Sequence, residues 1–126
     1  MRISNFIWRY NYSVMKGKLI VLEGLDRCGK SSMTKFLQEK CSGDNQENKA
    51  VVISFPNRKS AIGSMINDFL LNKADIGNEA IHLLFSANRW EAMKDIERIL
   101  NEGKNIICDR YWYSGVAYSF AKGLDF

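Results

Sequence analysis

Residues 18–31 read KLIVLEGLDRCGKS, and this stretch decides the fold. Its first part, Lys18 to Leu22, is a continuous apolar run behind one lysine, the composition of a buried parallel strand. Gly24 to Ser31 then matches the spacing GxxxxGK[ST]. Glycine lets such a loop curl until successive backbone N–H groups point at one centre. Lys30 to about Cys41 follows as a helix, with Met33, Phe36 and Leu37 on one side. The helix N-terminus adds partial positive charge. Lys30 can reach β- and γ-phosphates, and the Ser31 hydroxyl can ligate Mg²⁺. A chance glycine turn is the competing reading, which the strand–loop–helix context disfavours.

Working outward, strands and helices alternate. Ser42 to Lys49 is a polar surface loop, and Ala50 to Ser54 is a β-branched strand closed by Phe55-Pro56. Ala61 to Asn72 reads as an amphipathic helix with Ile62, Met65, Ile66, Phe69 and Leu70 as its apolar stripe. Asn78 to about Glu102 is helical, with a bend expected near Trp90 and Gly103 as its stop. Asn105 to Cys108 is a third strand ending at Asp109-Arg110, and Trp112 to Lys122 is a last helix.

This alternation predicts an α/β fold: a P-loop NTPase-type parallel sheet of three strands, flanked by helices. Residues 16–126 are expected to form the nucleotide-binding domain, and residues 1–15 an N-terminal extension expected to be disordered. Right-handed crossovers place a ligand beyond the carboxyl ends of the strands. The three loops there, GLDRCGKS, FPNRKS and DRYWYS, all carry arginine. Their convergence on one sheet edge argues for a polyanion site.

Composition sets the bounds. At 126 residues, 46% hydrophobic and 25% charged, the chain suits one globular domain. Net charge is +4, but Arg2 and Arg9 lie in an acid-free opening segment, leaving +2 for the remainder. That suits small anions and is too weak to argue for nucleic acid. No apolar run reaches membrane-spanning length. Cys28, Cys41 and Cys108 form no CxxC pair, which argues against a disulfide framework or zinc and for a reducing compartment. The cytoplasm is the expected location, with nucleus and mitochondrion as alternatives. The opening MRISNFIWRYNYSV is either a short mitochondrial-type presequence or an extension upstream of a start at Met15, the second being preferred. Cys28, beside a helix N-terminus and basic groups, is either a reactive thiol or a small loop filler, the latter preferred.

Ile106 to Asp109 is an apolar strand ending in a carboxylate. Beside a P-loop it suits an aspartate that holds Mg²⁺, although many strands end in Asp as a turn or cap. A P-loop alone does not name a reaction.

The combination of VLEGLDRCGKSS, SFPNRKSAIG, HLLFSANRWE and DRYWYSGVAYSFAKG, in this order, resembles the thymidylate kinase family. The resemblance runs from about Lys18 to Lys122 and is carried most specifically by the last two segments. It implies transfer of the γ-phosphoryl of ATP to dTMP, with Mg²⁺. It implies ATP binding by Gly24, Leu25, Asp26, Arg27, Cys28, Gly29, Lys30, Ser31 and Ser32. Asp26, Arg27 and Lys30 are the implied catalytic residues, with Asp26 also on the nucleoside 3′-hydroxyl. For dTMP it implies Phe55 and Arg58 on the second loop, Phe85 stacked on thymine, and Arg89 bonded to the base. Arg110 would meet the acceptor phosphate, and Ser114 and Tyr118 would line the sugar and base pocket, where the Tyr118 ring could exclude a ribose 2′-hydroxyl. Ser31 and Asp109 would serve the metal.

Competing readings are an Asx turn for Asp26, solvated arginines at Arg27 and Arg58, and core packing for Phe85. His82 reads as a packed or surface residue, and Tyr111 and Trp112 as packing residues. Asn57 departs from the family, where an acid is common.

The resemblance covers a little more than half of a typical family member, without its later strands and its lid over ATP. One side of the Lys18–Leu22 strand is therefore expected to lack a partner. Weak nucleotide binding and slow turnover are expected of this chain. The alternatives are another nucleoside monophosphate kinase, or a non-catalytic nucleotide-binding fragment that associates with a full-length kinase. The family implication for assembly is a homodimer through the N-terminal helices, with neither nucleic acid nor membrane as partner.

Overall fold

The computed structural model describes residues 16–42 and 49–123. The extension at residues 1–15 and most of the polar loop after Ser42 lie outside the described residues. The elements are β1 (Leu19–Leu22), α1 (Lys30–Lys40), β2 (Val51–Ser54), α2 (Ala61–Leu70), α3 (Asn78–Glu91), α4 (Met93–Asn101), β3 (Ile106–Asp109) and α5 (Trp112–Ala121). The three strands form one parallel sheet in the order β1-β3-β2.

β3 is central and reads as a central strand should. Ile106, Ile107 and Cys108 are fully buried and apolar, because parallel strands are covered on both faces. Ile106 and Cys108 pack with Phe55, Ile96 and Leu100 on the α4 side. Alternation turns Ile107 to the opposite face, where α1 crosses β3 and β2. Among the described residues β1 pairs on one side only, as expected.

The register has one functional consequence. Leu22 is level with Asp109, and Asp109 with Ser54, so the three strands end side by side. The ladder continues one step further, with Arg110 N–H donating to Leu22 O at 2.9 Å and Phe55 N–H to Asp109 O at 3.0 Å.

The long helical segment breaks at Ala92, two residues beyond Trp90. The Ala92 N–H bonds to Arg89 O at 3.2 Å, and Ile96 N–H restarts the ladder on Ala92 O at 3.0 Å. The break lets α3 face α2 and α5 while α4 turns Ile96 and Leu100 onto the sheet.

Two apolar stripes differ from expectation. On α1 the inward residue is Thr34, whose hydroxyl bonds back to Lys30 O, while Met33 and Phe36 are about half exposed. On α2, Ile66 is fully buried but Met65 and Leu70 face outward. Helical spacing defined both stripes, but only their inner edges meet a neighbour. Trp112 is also more open than a packing residue, 46% exposed and stacked on Tyr113 at 3.9 Å between ring centroids.

Ile107→Ala should lower unfolding stability by about 2–5 kcal/mol, the cost of a core cavity. Urea unfolding followed by circular dichroism would read this. A change under about 0.5 kcal/mol, the level of a surface substitution, would show that β3 is not the centre of the core.

Candidate active site

The loop after β1 curls as its glycines require, with positive φ at Gly24, Arg27 and Gly29, and Gly29 caps α1 in the left-handed region. Lys30 Nζ donates to the carbonyls of Gly24 at 3.0 Å and Leu25 at 2.6 Å. The ammonium therefore stands over the loop's own concavity. Leu25, Arg27, Cys28, Ser31 and Ser32 are exposed around it. Asp109 ends β3 beside this loop, and its Oδ1 is buried with no hydrogen-bond partner among the described residues. A buried carboxylate oxygen without a donor is costly unless something else meets it.

The loop after β3 is tied to the first loop by a polar ladder. Arg110 Nη2 meets Asp26 Oδ1 at 2.6 Å, and Arg110 Nη1 donates to Ser114 Oγ at 3.2 Å. Ser114 Oγ bonds in turn to Glu23 Oε2. Glu23 Oε1 accepts from the N–H groups of Tyr111 at 2.9 Å and Ser114 at 3.3 Å. A carboxylate from the end of β1 thus caps the N-terminus of α5, where donors are orphaned and negative charge is favoured.

Arg27 and Arg110 hold φ of 63° and 67°, a region that costs a non-glycine residue on the order of 1 kcal/mol. Arg110 is held there partly by the Cys108 thiol, which donates to Arg110 O at 3.0 Å. Burial, with Glu23 and Asp109 adding charge, pushes that thiol up to about 12, so it keeps its proton as a donor.

The loop after β2 carries Phe55 and Arg58. Phe55 is buried and tilts against Tyr111, with centroids 5.5 Å apart. The Phe55–Pro56 bond is cis. Asn57 Oδ1 accepts from Lys59 N–H at 3.2 Å, so the amide that stands where the family commonly has an acid makes an Asx turn. Arg58 Nη1 lies 3.3 Å from Asn67 Oδ1.

These loops and α3 and α5 enclose a cavity of about 260 Å³. Asp26, Phe55, Arg58 and Arg110 line it from the loops, and Phe85, Arg89, Ser114 and Tyr118 from the helices. All eight residues expected around dTMP therefore meet in one place. The remaining residues of the first loop do not line it and stand beside it. Arg89 is half-buried; burial lowers its pKa, while Tyr111 and Glu23 pull it back up. It remains charged, since guanidinium is not deprotonated in proteins. The lack of a side chain at Gly115 makes room for it, because a Cβ there would sit 3.0 Å from Arg89 Nη1.

Sequence reasoning missed several contributors. Glu23, the acid before the loop glycine, was not among the candidates. Neither was Asn88 on α3, which is 1% exposed. His82, which read as a packing residue, bonds through Nδ1 to Ser119 Oγ and also lines the cavity. Lys122 and Asn78 line its far end, and nothing in their spacing distinguishes them from surface residues. Among the described residues no helix is long and apolar enough to cross a membrane.

The chain was compared with known proteins. A family model described as thymidylate kinase matches residues 22–126. The thymidylate kinase of Plasmodium falciparum (isolate 3D7) is 53% identical over 104 residues, which cover 82% of this chain and 49% of that protein. The human thymidylate kinase is 43% identical over 108 residues, covering 85% of this chain and 50% of that protein. The chain spans about half the length of the curated relatives it matches. Among solved structures, a thymidylate kinase from Candida albicans superposes with a TM-score of 0.77 at 47% identity, covering 84% of this chain and 45% of that one. The thymidylate kinase from Ehrlichia chaffeensis gives a TM-score of 0.73 at 28% identity, covering 86% of this chain and 59% of that one. The family model spans most of the chain and relatives well above 30% identity cover most of it, and the chain belongs to the thymidylate kinase family.

Proposed function

We propose that this chain binds ATP and dTMP head to head and supports transfer of the γ-phosphoryl of ATP to the dTMP phosphate. The observation that carries this reading is a cavity lined both by arginines from two strand-end loops and by Phe85 and Arg89, set against a P-loop. ATP lies along Gly24 to Ser32, with Lys30 on the β- and γ-phosphates. Arg27 neutralises charge on the transferring group, a role worth about 10³–10⁵ in rate. Arg58 and Arg110 take the acceptor phosphate through their planar forks. Phe85 stacks on thymine and Arg89 bonds to it. Asp26 meets the sugar 3′-hydroxyl, and Tyr118 crowds the position of a 2′-hydroxyl.

Arg110 already has a partner in Asp26, so magnitudes decide whether it is available. The Asp26 side chain is 84% exposed and the Arg110 side chain 18%, so solvent screens the pair from the Asp26 side. Exposed pairs are worth about 0.2–1 kcal/mol, whereas hydrogen bonds to charged groups are worth about 1.5–3 kcal/mol. A phosphate held by Arg110 therefore outweighs the pair, and Asp26 is freed to face the sugar.

The donor set suits Mg²⁺. This ion takes one or two protein oxygens and keeps several waters. Asp109, with its unsatisfied Oδ1, and Ser31 would hold it. Bound there, Mg²⁺ neutralises charge on the β- and γ-oxygens. No cluster of three or more metal-ligating acids, histidines or cysteines exists among the described residues, and this ion needs none.

We further propose self-association through α3, where Leu83 and Trp90 lie seven residues apart and are each 66% exposed. The free thiols Cys28, Cys41 and Cys108 suit the cytoplasm. A second reading is favoured by β1 pairing on one side only among the described residues: a non-catalytic nucleotide-binding module that pairs with a full-length kinase.

Calorimetry with dTMP, dUMP, AMP and GMP should rank dTMP first, and Arg89→Ala should weaken dTMP by about 10-fold or more. AMP or GMP binding as tightly as dTMP would contradict the base assignment. Asp109→Asn should weaken ATP binding in Mg²⁺ and leave it unchanged in EDTA. Equal effects in both buffers would remove Asp109 from the metal.

A further inference from the structure

Asn88 has the surroundings of a functional residue and no role yet. It sits on α3 beside Arg89 and three residues after Phe85, and is 1% exposed. Its side chain points away from the cavity and into the back of the loop after β2. Asn88 Oδ1 accepts from Asn57 N–H at 2.7 Å. Asn88 Nδ2 shares its two hydrogens among Asn57 O at 3.1 Å, Ser60 Oγ at 3.0 Å and Glu91 Oε2 at 3.1 Å. A side-chain amide offers a donor and an acceptor side by side. Here they match the N–H and C=O of one residue, as a neighbouring strand would. The residue so gripped, Asn57, directly precedes Arg58.

The same loop is pressed from its other side. Gly63, in the first turn of α2, lies so close that a Cβ would sit 1.7 Å from Asn57 O and 3.0 Å from Arg58 Cα. Ser60 Oγ caps α2 by accepting from Gly63 N–H at 3.0 Å and donates to Glu91 Oε2 at 2.6 Å. Loop, α2 and α3 are thereby fixed to one another at the residue before Arg58. The buried Asn88 amide, with its donor and acceptor both satisfied, favours one geometry, because displacing it strands a desolvated group.

We propose that Asn88 is a positioning residue that holds the Arg58 guanidinium at the acceptor phosphate, and so sets the preference for a nucleoside monophosphate over its nucleoside. The inference rests on the reading above that Arg58 takes that phosphate. It assigns Asn88 no contact with substrate. A purely structural Asn88 would change stability, or weaken every ligand alike. A positioning Asn88 changes the ratio between a ligand with the phosphate and one without it.

The test measures dissociation constants for dTMP and thymidine with the 126-residue chain and three variants, each first checked by thermal melting. The parent should prefer dTMP. Arg58→Ala should reduce that preference about 10-fold or more, the worth of a hydrogen bond to a charged group. Asn88→Ala should reduce it to a similar degree with thymidine affinity unchanged. If Arg58→Ala leaves the preference intact, the phosphate reading itself falls, whatever Asn88 does. If Arg58→Ala removes the preference while folded Asn88→Ala retains it, the positioning role is overturned and the phosphate reading stands. Should Asn88→Ala melt below the assay temperature, Ser60→Ala decides. It removes one acceptor of Asn88 Nδ2 and the α2 cap, so a weakened preference supports the clamp and an unchanged one refutes it.

Discussion

The site depends on a register. Parallel pairing of β1, β3 and β2 sets Leu22, Asp109 and Ser54 level, and each strand then gives way to a loop that carries an arginine. A slip of one residue would turn Ile106 and Cys108 away from Ile96 and Leu100, so core burial and loop alignment are enforced together. The buried apolar run of β3 thereby places Arg110 next to Asp26, though they are 84 residues apart in sequence.

Two kinds of polar contact hold the loops, and burial separates them. Asn88 itself is 1% exposed, so breaking its hydrogen bonds costs the desolvation of its amide. Asp26–Arg110 is open to solvent at the Asp26 end, which is 84% exposed, while the Arg110 side chain is 18% exposed. The loop after β2 is thus seated on α3 by Asn88, while Arg110 sits in a ladder anchored by Glu23. On the proposed reading, firm seating suits Arg58 as the arginine that meets the phosphate, and a solvent-exposed carboxylate partner suits Arg110, which would give up Asp26 to the sugar. Both arginines with left-handed backbone sit at strand-end loops, which is where local strain is commonly maintained by the surrounding structure.

Much of this was legible in the chain itself. Short apolar runs that give way to Gly, Pro or Asp-Arg state both their type and their end, so all three strands and the edge they share could be read. The eight cavity residues came from segment resemblance; periodicity alone would have put Phe85 in a core. What could not be read depended on partners distant in sequence. Met33 and Phe36 have helical spacing and no neighbour to bury them. The break at Ala92 arises because α3 and α4 serve different surfaces. Glu23 and Asn88 matter through contacts 88 and 31 residues away, which no local pattern encodes. Gly63 reads as a weak helix residue until the loop pressed against it is seen.

On the proposed reading, three loops from three strand ends act as one cradle for one ligand. The most direct measurement is a titration of ¹⁵N-labelled protein with dTMP, following the backbone amides of Asp26, Arg58 and Arg110. The account expects all three to shift and to saturate along a single binding curve. A shift confined to one or two of the loops, or different dissociation constants at the three positions, would contradict it.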